Sequence, residues 1–118
     1  MSKVLIVDDS LFMRDHLAKL LNEHGYETVL AEDGEEAVKT YRSARPDVVL
    51  MDITMPKMNG MDALVEIRQS DLQARVIMLT ALDQQLVAAR AIHMGAQDFL
   101  VKPVHSSQLL TALQKALR

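Results

Sequence analysis

The sequence contains no cysteine and no tryptophan, and aromatic residues make up only 3% of it. Without cysteine there can be no disulfide framework and no thiolate metal site. Two tyrosines and two phenylalanines are too few to form a stacking surface for single-stranded nucleic acid. These absences exclude a disulfide-stapled domain and a thiolate zinc site, and they argue against a single-strand binder.

Long apolar runs and basic clusters are also missing. No apolar stretch approaches the ~20 residues that cross a bilayer, and residues 1–3 lead into a strand-like segment rather than a signal peptide. We therefore expect a cytoplasmic protein without membrane insertion. The net charge is −3 and the 13 lysines and arginines are scattered, whereas a nucleic-acid binder needs a basic patch to neutralise phosphates. We expect no direct contact with nucleic acid.

The residues that are present describe an ordinary globular chain. Its 118 residues, 49% hydrophobic and 25% charged, suffice for one domain with a real core, which we place at residues 1–118. Short β-branched runs alternate five times with helical patterns. This alternation predicts an α/β fold, in which an open, doubly wound parallel sheet carries helices on both faces.

The element boundaries follow from local signals. Strands are predicted at residues 4–7, 27–31, 48–51, 76–80 and 99–101. Gly25 and Gly95 stand where helices should stop. Asp33 and Asp83 are predicted to cap the helices that follow them, and Ser106 or Ser107 to cap the last helix.

Polar residues follow the predicted strands at one end of the sheet: Asp8 and Asp9, then Asp52, Thr80 and Lys102. Ligands and chemistry collect beyond the carboxyl ends of parallel strands. Three carboxylates brought together need a raised pKa or a cation, and hard oxygen ligands point to Mg²⁺. A divalent ion and an ammonium group around one carboxylate suit phosphoryl transfer to Asp52.

Each of these residues also has a purely structural interpretation. Asp9 could cap the first helix, Asp52 could open a turn, and a lone Lys102 before proline could simply be solvated. Five such residues at the ends of four strands of one domain favour the functional interpretation.

Four segments together carry a resemblance that covers the whole chain. They are Val-Asp-Asp-Ser at 7–10, Met-Asp-Ile-Thr-Met-Pro-Lys-Met-Asn-Gly at 51–60, Thr-Ala at 80–81, and Gly-Ala-Gln-Asp-Phe-Leu-Val-Lys-Pro at 95–103. The chain resembles the receiver domains of two-component response regulators, in particular single-domain chemotaxis messengers from bacteria. The resemblance implies a flavodoxin-like fold with strand order 2-1-3-4-5 and five helices.

The resemblance also implies roles for individual residues. Asp52 would accept a phosphoryl group from a phosphohistidine of a sensor histidine kinase. The Mg²⁺ ion would be held by Asp9, Asp52 and the backbone carbonyl of Thr54, with Asp8 holding a metal-bound water. Lys102 would pair with the phosphoryl oxygens, and its bond to Pro103 would be cis.

Signalling would follow from a switch between two states. Thr80 would move to hydrogen-bond the phosphoryl group, and Phe99, where the family often has tyrosine, would turn inward. The surface of helix 4, strand 5 and helix 5 would then change its binding of a downstream protein. We expect a monomer that catalyses only its own phosphorylation and dephosphorylation.

Three alternatives remain open at this stage. The chain could be a receiver domain from a longer response regulator or hybrid kinase, although the last helix runs to the end without a linker, as in a free-standing protein. A flavodoxin-like electron carrier would want a Ser/Thr/Gly-rich phosphate loop where Asp8 and Asp9 stand. A magnesium-dependent phosphatase of the haloacid-dehalogenase type would place a second aspartate two residues after Asp52, where this chain has Thr54.

Overall fold

The computed structural model describes residues 2–53, 55 and 57–118, apart from the side chain of Leu82. Five parallel strands form one sheet in the order β2-β1-β3-β4-β5, so the predicted topology is confirmed. The strands are β1 (Lys3–Val7), β2 (Glu27–Ala31), β3 (Val48–Asp52), β4 (Val76–Thr80) and β5 (Asp98–Val101). Three strands extend one residue beyond their predicted ranges: β1 begins at Lys3, β3 ends at Asp52 and β5 begins at Asp98.

Within the described part of the chain, five α-helices connect and follow the strands: α1 (Leu11–Glu23), α2 (Gly34–Ala44), α3 (Gly60–Ser70), α4 (Gln85–His93) and α5 (Ser106–Ala116). Asp33 caps α2 by accepting a 2.8 Å hydrogen bond from the backbone N–H of Glu36, as predicted. Helix α2 ends before Pro46, with Arg45 in the left-handed region at φ 49°, since a residue before proline is disfavoured in helical geometry. None of the helices among the described residues combines the length and apolar character needed to span a bilayer.

The central strands are buried on both faces, which explains their continuous apolar sequences. Alternate side chains of a strand point to opposite sides. Leu5, Val49 and Met78 therefore pack on one side against α2, α3 and α4, in one cluster of buried residues. Ile6 and Leu50 pack on the other side in a second cluster, together with α1 and α5. Because all the strands are parallel, their carboxyl ends lie along one edge of the sheet, between the two layers of helices.

Two predicted helix caps are wrong. Asp83 lies inside a short 3₁₀ turn, Leu82–Gln84, and α4 begins only at Gln85. At α5 the cap position is His105 rather than a serine, and its backbone N–H donates to Oε1 of Gln108 at 3.4 Å.

Phe12 departs from the apolar pattern of α1. Its side chain is 75% exposed, although Leu17 and Leu21 of the same helix are buried. Instead of entering the core, the ring stacks on His16, with centroids 6.2 Å apart and planes 2° apart.

Candidate functional site

The candidate site lies at the point in the sheet where the order in which strands are added reverses, between β1 and β3. β1 sits between β2 and β3, and ligands of open α/β sheets bind at such a switch point. Asp8 and Asp9 directly follow β1, and Asp52 is the last residue of the neighbouring β3. Since Val7 pairs with Met51 in the register of β1 and β3, the two acidic segments emerge side by side.

The predicted carboxylates do come together. Asp8, Asp9 and Asp52 each offer an oxygen atom, and these atoms all lie within 4.8 Å of one another. Asp8 is 1% exposed and Asp52 is 7% exposed, whereas Asp9 faces solvent. The acidic cluster is therefore buried at Asp8 and Asp52 and open to solvent at Asp9.

Lys102 is the counter-charge of this cluster. Its Nζ lies 3.3 Å from Oδ1 of Asp52 and 3.5 Å from Oδ2 of Asp8. Its aliphatic stem approaches from the loop after β5, and the Lys102–Pro103 peptide bond is cis, as the resemblance implied. One ammonium group thus contacts two of the three carboxylates.

The environment of Asp52 is unfavourable for its charged form. Burial raises the pKa of this carboxyl group above its usual range, and the nearby carboxylates of Asp8 and Asp9 raise it further. The Lys102 ammonium acts in the opposite direction by charge and by hydrogen bonding. The net pKa remains raised, and a bound cation would lower it by favouring the ionised form.

The donor set fits a hard divalent cation. It consists of three carboxylates with convergent oxygen atoms, and Mg²⁺ is bound in proteins by one or two carboxylates together with waters. Asp9 is on the solvent side, which leaves room for waters and for an incoming phosphate. The carbonyl of Thr54, the fourth predicted ligand, lies outside the described residues.

Two glycines shape the loop that follows Asp52. A Cβ atom at Gly60 would collide with the carbonyl oxygen of Asp52, and one at Gly34 would collide with the carbonyl oxygen of Met58. Instead, the N–H of Gly60 donates to Ile53 at 2.8 Å and the N–H of Gly34 donates to Met58 at 2.9 Å. The N-termini of α3 and α2 are therefore packed directly on the backbone of this loop.

Thr80 and Phe99 occupy neighbouring strands. Thr80 is fully buried at the end of β4, and its hydroxyl donates to the carbonyl of Ala81 at 3.1 Å. Phe99 in β5 is half-buried and packs against the core on the side of α4. In the register of the two strands Thr80 pairs with Val101, two residues beyond Phe99.

Sequence reasoning missed Arg14. Its Nη1 donates to the backbone carbonyl of Asp8 at 2.7 Å, and its Nη2 lies 3.8 Å from Oε2 of Glu32. A signal was available: Arg14 stands one turn from the start of α1, where the helix dipole disfavours a cation. A cation at that position needs acceptors nearby, and here they belong to the loops that follow β1 and β2.

Comparison with known proteins agrees with this geometry. Residues 4–114 match the family described as response regulator receiver domain. The chemotaxis protein CheY of Bacillus subtilis (strain 168) is 48% identical over 116 residues, which are 98% of this chain and 97% of that protein.

Two solved structures have the same fold. A response regulator receiver domain protein from Clostridium thermocellum superposes with a TM-score of 0.96 at 32% identity, over 99% of this chain and 94% of the other. The CheX–CheY–BeF3–Mg complex from Borrelia burgdorferi contains a chain with a TM-score of 0.93 at 38% identity, over 99% and 90% of the two chains. The chain is a member of the response regulator receiver domain family.

Proposed function

We propose that this protein is a single-domain messenger of a chemotaxis pathway that accepts a phosphoryl group on Asp52 from a sensor histidine kinase. The observation that carries the proposal is the convergence of three carboxylates and one ammonium group at the carboxyl edge of the sheet. The near-complete coverage of a CheY protein supports the messenger role. We take residues 1–118 as one receiver domain acting in the cytoplasm as a monomer.

Asp52 has the position of a nucleophile. Its carboxylate oxygen would attack the phosphorus of a phosphohistidine, the P–N bond would break, and the departing imidazole would keep the electron pair and take up a proton. The product is an acyl phosphate on Asp52. Burial keeps bulk water from surrounding this carboxylate, while the exposed side at Asp9 admits the donor.

Asp9, Asp52 and the Thr54 carbonyl would hold Mg²⁺, with Asp8 holding a metal-bound water. The ion supplies positive charge for the oxygens of the transferring phosphoryl group. The Lys102 ammonium group would form an ion pair with the same phosphoryl oxygens from the other side, since it already lies 3.3 Å from Oδ1 of Asp52. Together the ion and the Lys102 ammonium would stabilise the charge that develops during transfer, which is commonly the largest contribution to such catalysis.

Thr80 and Phe99 would then change conformation in response to the transferred phosphoryl group. A phosphoryl group brings additional negative charge and acceptor oxygens, so the Thr80 hydroxyl would exchange its bond to Ala81 for one to the phosphate. Phe99 would rotate inward as Thr80 moves. Helix α4 exposes Leu86, which is 89% exposed, and Ile92, so this part of the α4–β5–α5 surface offers apolar contacts to a downstream protein.

The test is phosphorylation with a small donor. The protein is incubated with acetyl phosphate and Mg²⁺, and its intact mass is measured. We expect the mass to rise by one phosphoryl group in the wild type and in Asp15→Asn, an exposed change on α1, but not in Asp52→Asn. An unchanged wild-type mass would refute the proposal. Omission of Mg²⁺ should abolish the reaction, because the ion is part of the proposed site.

A further inference from the structure

The Arg14 side chain connects two loops at the edge of the site. Its guanidinium donates to the Asp8 carbonyl at 2.7 Å and lies 3.8 Å from the Glu32 carboxylate in the loop after β2. The Arg14 side chain is only 12% exposed, while that of Glu32 is 64% exposed. A mostly buried arginine that contacts a backbone carbonyl is held in one orientation, because a charged donor is costly to leave without its acceptor.

The carbonyl that Arg14 holds belongs to the peptide between Asp8 and Asp9. A peptide unit is planar, so fixing its oxygen also fixes the direction in which the chain enters Asp9. The rest of Asp8 is held independently: its N–H donates to Ala31 at 3.2 Å, and its Oδ1 accepts from the N–H of Ser10 at 2.9 Å. Arg14 is therefore the side chain that orients the Asp8–Asp9 peptide plane.

We propose that Arg14 is a positioning residue for the divalent-cation site, holding the Asp8–Asp9 peptide so that the Asp9 carboxylate faces those of Asp8 and Asp52. This inference rests on the proposed function of the acidic cluster. Asp9 is exposed and has the greatest freedom of the three carboxylates to turn away. Groups that orient metal ligands commonly change metal affinity 10- to 100-fold when they are removed.

A positioning role and a purely electrostatic role predict opposite changes in Mg²⁺ affinity when Arg14 is replaced by a neutral residue. Removing a positive charge beside three carboxylates should strengthen cation binding by Coulomb's law. Losing the orientation of Asp9 should weaken it. We expect Arg14→Met to raise the Kd for Mg²⁺ by about tenfold, measured by isothermal titration calorimetry on the purified chain, with Mn²⁺ as a second ion.

The matched control is Lys19→Met, which removes one positive charge from an exposed position on the same helix. We expect its Kd to stay within about twofold of the wild type, since the charge is solvent-screened. Arg14→Gln provides a second variant, with the same expected weakening and a residue that is favourable in a helix. Circular dichroism and chemical unfolding in a chelator confirm that each variant is folded.

A second readout separates positioning from general structural damage. We expect the Mg²⁺ concentration that gives half the maximal phosphorylation rate to rise about tenfold in Arg14→Met, while the rate at saturating Mg²⁺ stays within about twofold. Equal or tighter Mg²⁺ binding by folded Arg14→Met and Arg14→Gln would overturn the inference. Absence of Mg²⁺ binding by the wild type would instead overturn the proposed function.

Discussion

The backbone N–H of Lys102 donates a 2.7 Å hydrogen bond to the carbonyl oxygen of Thr80. This bond continues the pairing of β4 with β5 beyond the ends of the strands. It joins the residue proposed to sense the phosphoryl group to the residue that supplies the fixed cation. A movement of the Thr80 backbone would therefore be transmitted to Lys102 directly, and a movement of Lys102 to Thr80.

Replacing Lys102 tests its role as a counter-charge. We expect Lys102→Gln to slow phosphorylation by acetyl phosphate by at least about tenfold at saturating Mg²⁺, because the developing phosphoryl charge loses a nearby cation. The rate is followed by intact mass over time. Lys115→Gln, an exposed change in α5, should react at the wild-type rate. Equal rates for the two variants would contradict the assignment.

The raised pKa of Asp52 predicts that this residue opposes folding at neutral pH. Folding favours its neutral form, so its contribution to stability is present below the unfolded-state pKa of 3.8 and is lost as the pH rises through the higher folded-state pKa. We expect Asp52→Asn to raise the free energy of unfolding in a chelator at pH 7 by on the order of 1 kcal/mol.

The same experiment should be pH-dependent. The difference between Asp52→Asn and the wild type should shrink as the pH falls through the raised folded-state pKa toward the unfolded-state value of 3.8, since a growing fraction of Asp52 is then neutral, like asparagine. Denaturant unfolding followed by circular dichroism gives both values. Asp15→Asn, an exposed change on α1, serves as the control, and a pH-independent gain would argue against the electrostatic explanation.

Mg²⁺ should stabilise the folded protein through the acidic cluster. A ligand at 100 times its Kd stabilises the native state by about 2.7 kcal/mol, which is several degrees in Tm for a domain of this size. We expect this rise in the wild type and in Asp15→Asn, and a much smaller rise in Asp9→Asn. Differential scanning calorimetry with and without Mg²⁺ makes the comparison. Equal rises in all three proteins would place the ion elsewhere.

Tyr41 and Asp71 form a structural pair remote from the site. The buried Tyr41 hydroxyl donates to Oδ2 of Asp71 at 2.7 Å, which joins α2 to the end of α3. The pKa of Tyr41 is raised to about 12, chiefly by burial and secondly by the hydrogen bond to Asp71. The bond also holds the pKa of Asp71 below its usual range. We expect Tyr41→Phe to lower the free energy of unfolding by about 1 kcal/mol at pH 7.

The two pKa shifts define the pH range over which the hydrogen bond between Tyr41 and Asp71 stabilises the fold. The Asp71 contribution is present above its unfolded-state pKa of 3.8 and is lost as the pH falls through its lower folded-state value. The Tyr41 contribution is present below pH 10 and is lost as the pH rises through about 12. Ultraviolet titration of the two tyrosines should show a step near pH 12 that is missing in Tyr41→Phe and retained in Tyr26→Phe.

Gly34 and Gly25 offer a paired test of the loop after Asp52. Gly34→Ala should displace the Met58 carbonyl, since a Cβ atom has no room there, and should weaken Mg²⁺ binding as well as stability. Gly25→Ala meets open space but is strained at φ +86°, so it should cost about 1 kcal/mol of stability without changing the Kd for Mg²⁺. Equal Mg²⁺ affinities for the two variants would show that Gly34 supports only the fold.

Much of the fold was predictable because its signals are local. Buried strands read as continuous apolar runs, and Asp52 stood out because it ends such a run. The strand order was obtained from the resemblance rather than from periodicity, since alternating apolar residues do not say which strands are neighbours. The start of α4 was mispredicted because aspartate is a favourable cap residue, whereas in the structure Asp83 lies inside the 3₁₀ turn that precedes the helix.

The acidic cluster was predictable for a different reason. Parallel strands bring their carboxyl ends to one edge, so topology alone places Asp8 beside Asp52. The contacts of Arg14 and the pair of Tyr41 with Asp71 were not predicted, because each joins side chains to groups in other elements. Such contacts depend on how each helix is rotated about its axis and on the path of the loops. The amino-acid sequence alone carries little information about either.

The contact between Lys102 and Asp8 joins residues 94 positions apart in the chain. Synthesis proceeds from the N-terminus and domains fold as units, so all three acidic residues emerge from the ribosome long before their cation. An unfinished chain that ends before β5 thus carries the carboxylates without Lys102 and should draw few phosphoryl groups from the kinase. Under the proposed function, competence to accept a phosphoryl group would therefore arise only once β5 and Lys102 have joined the sheet.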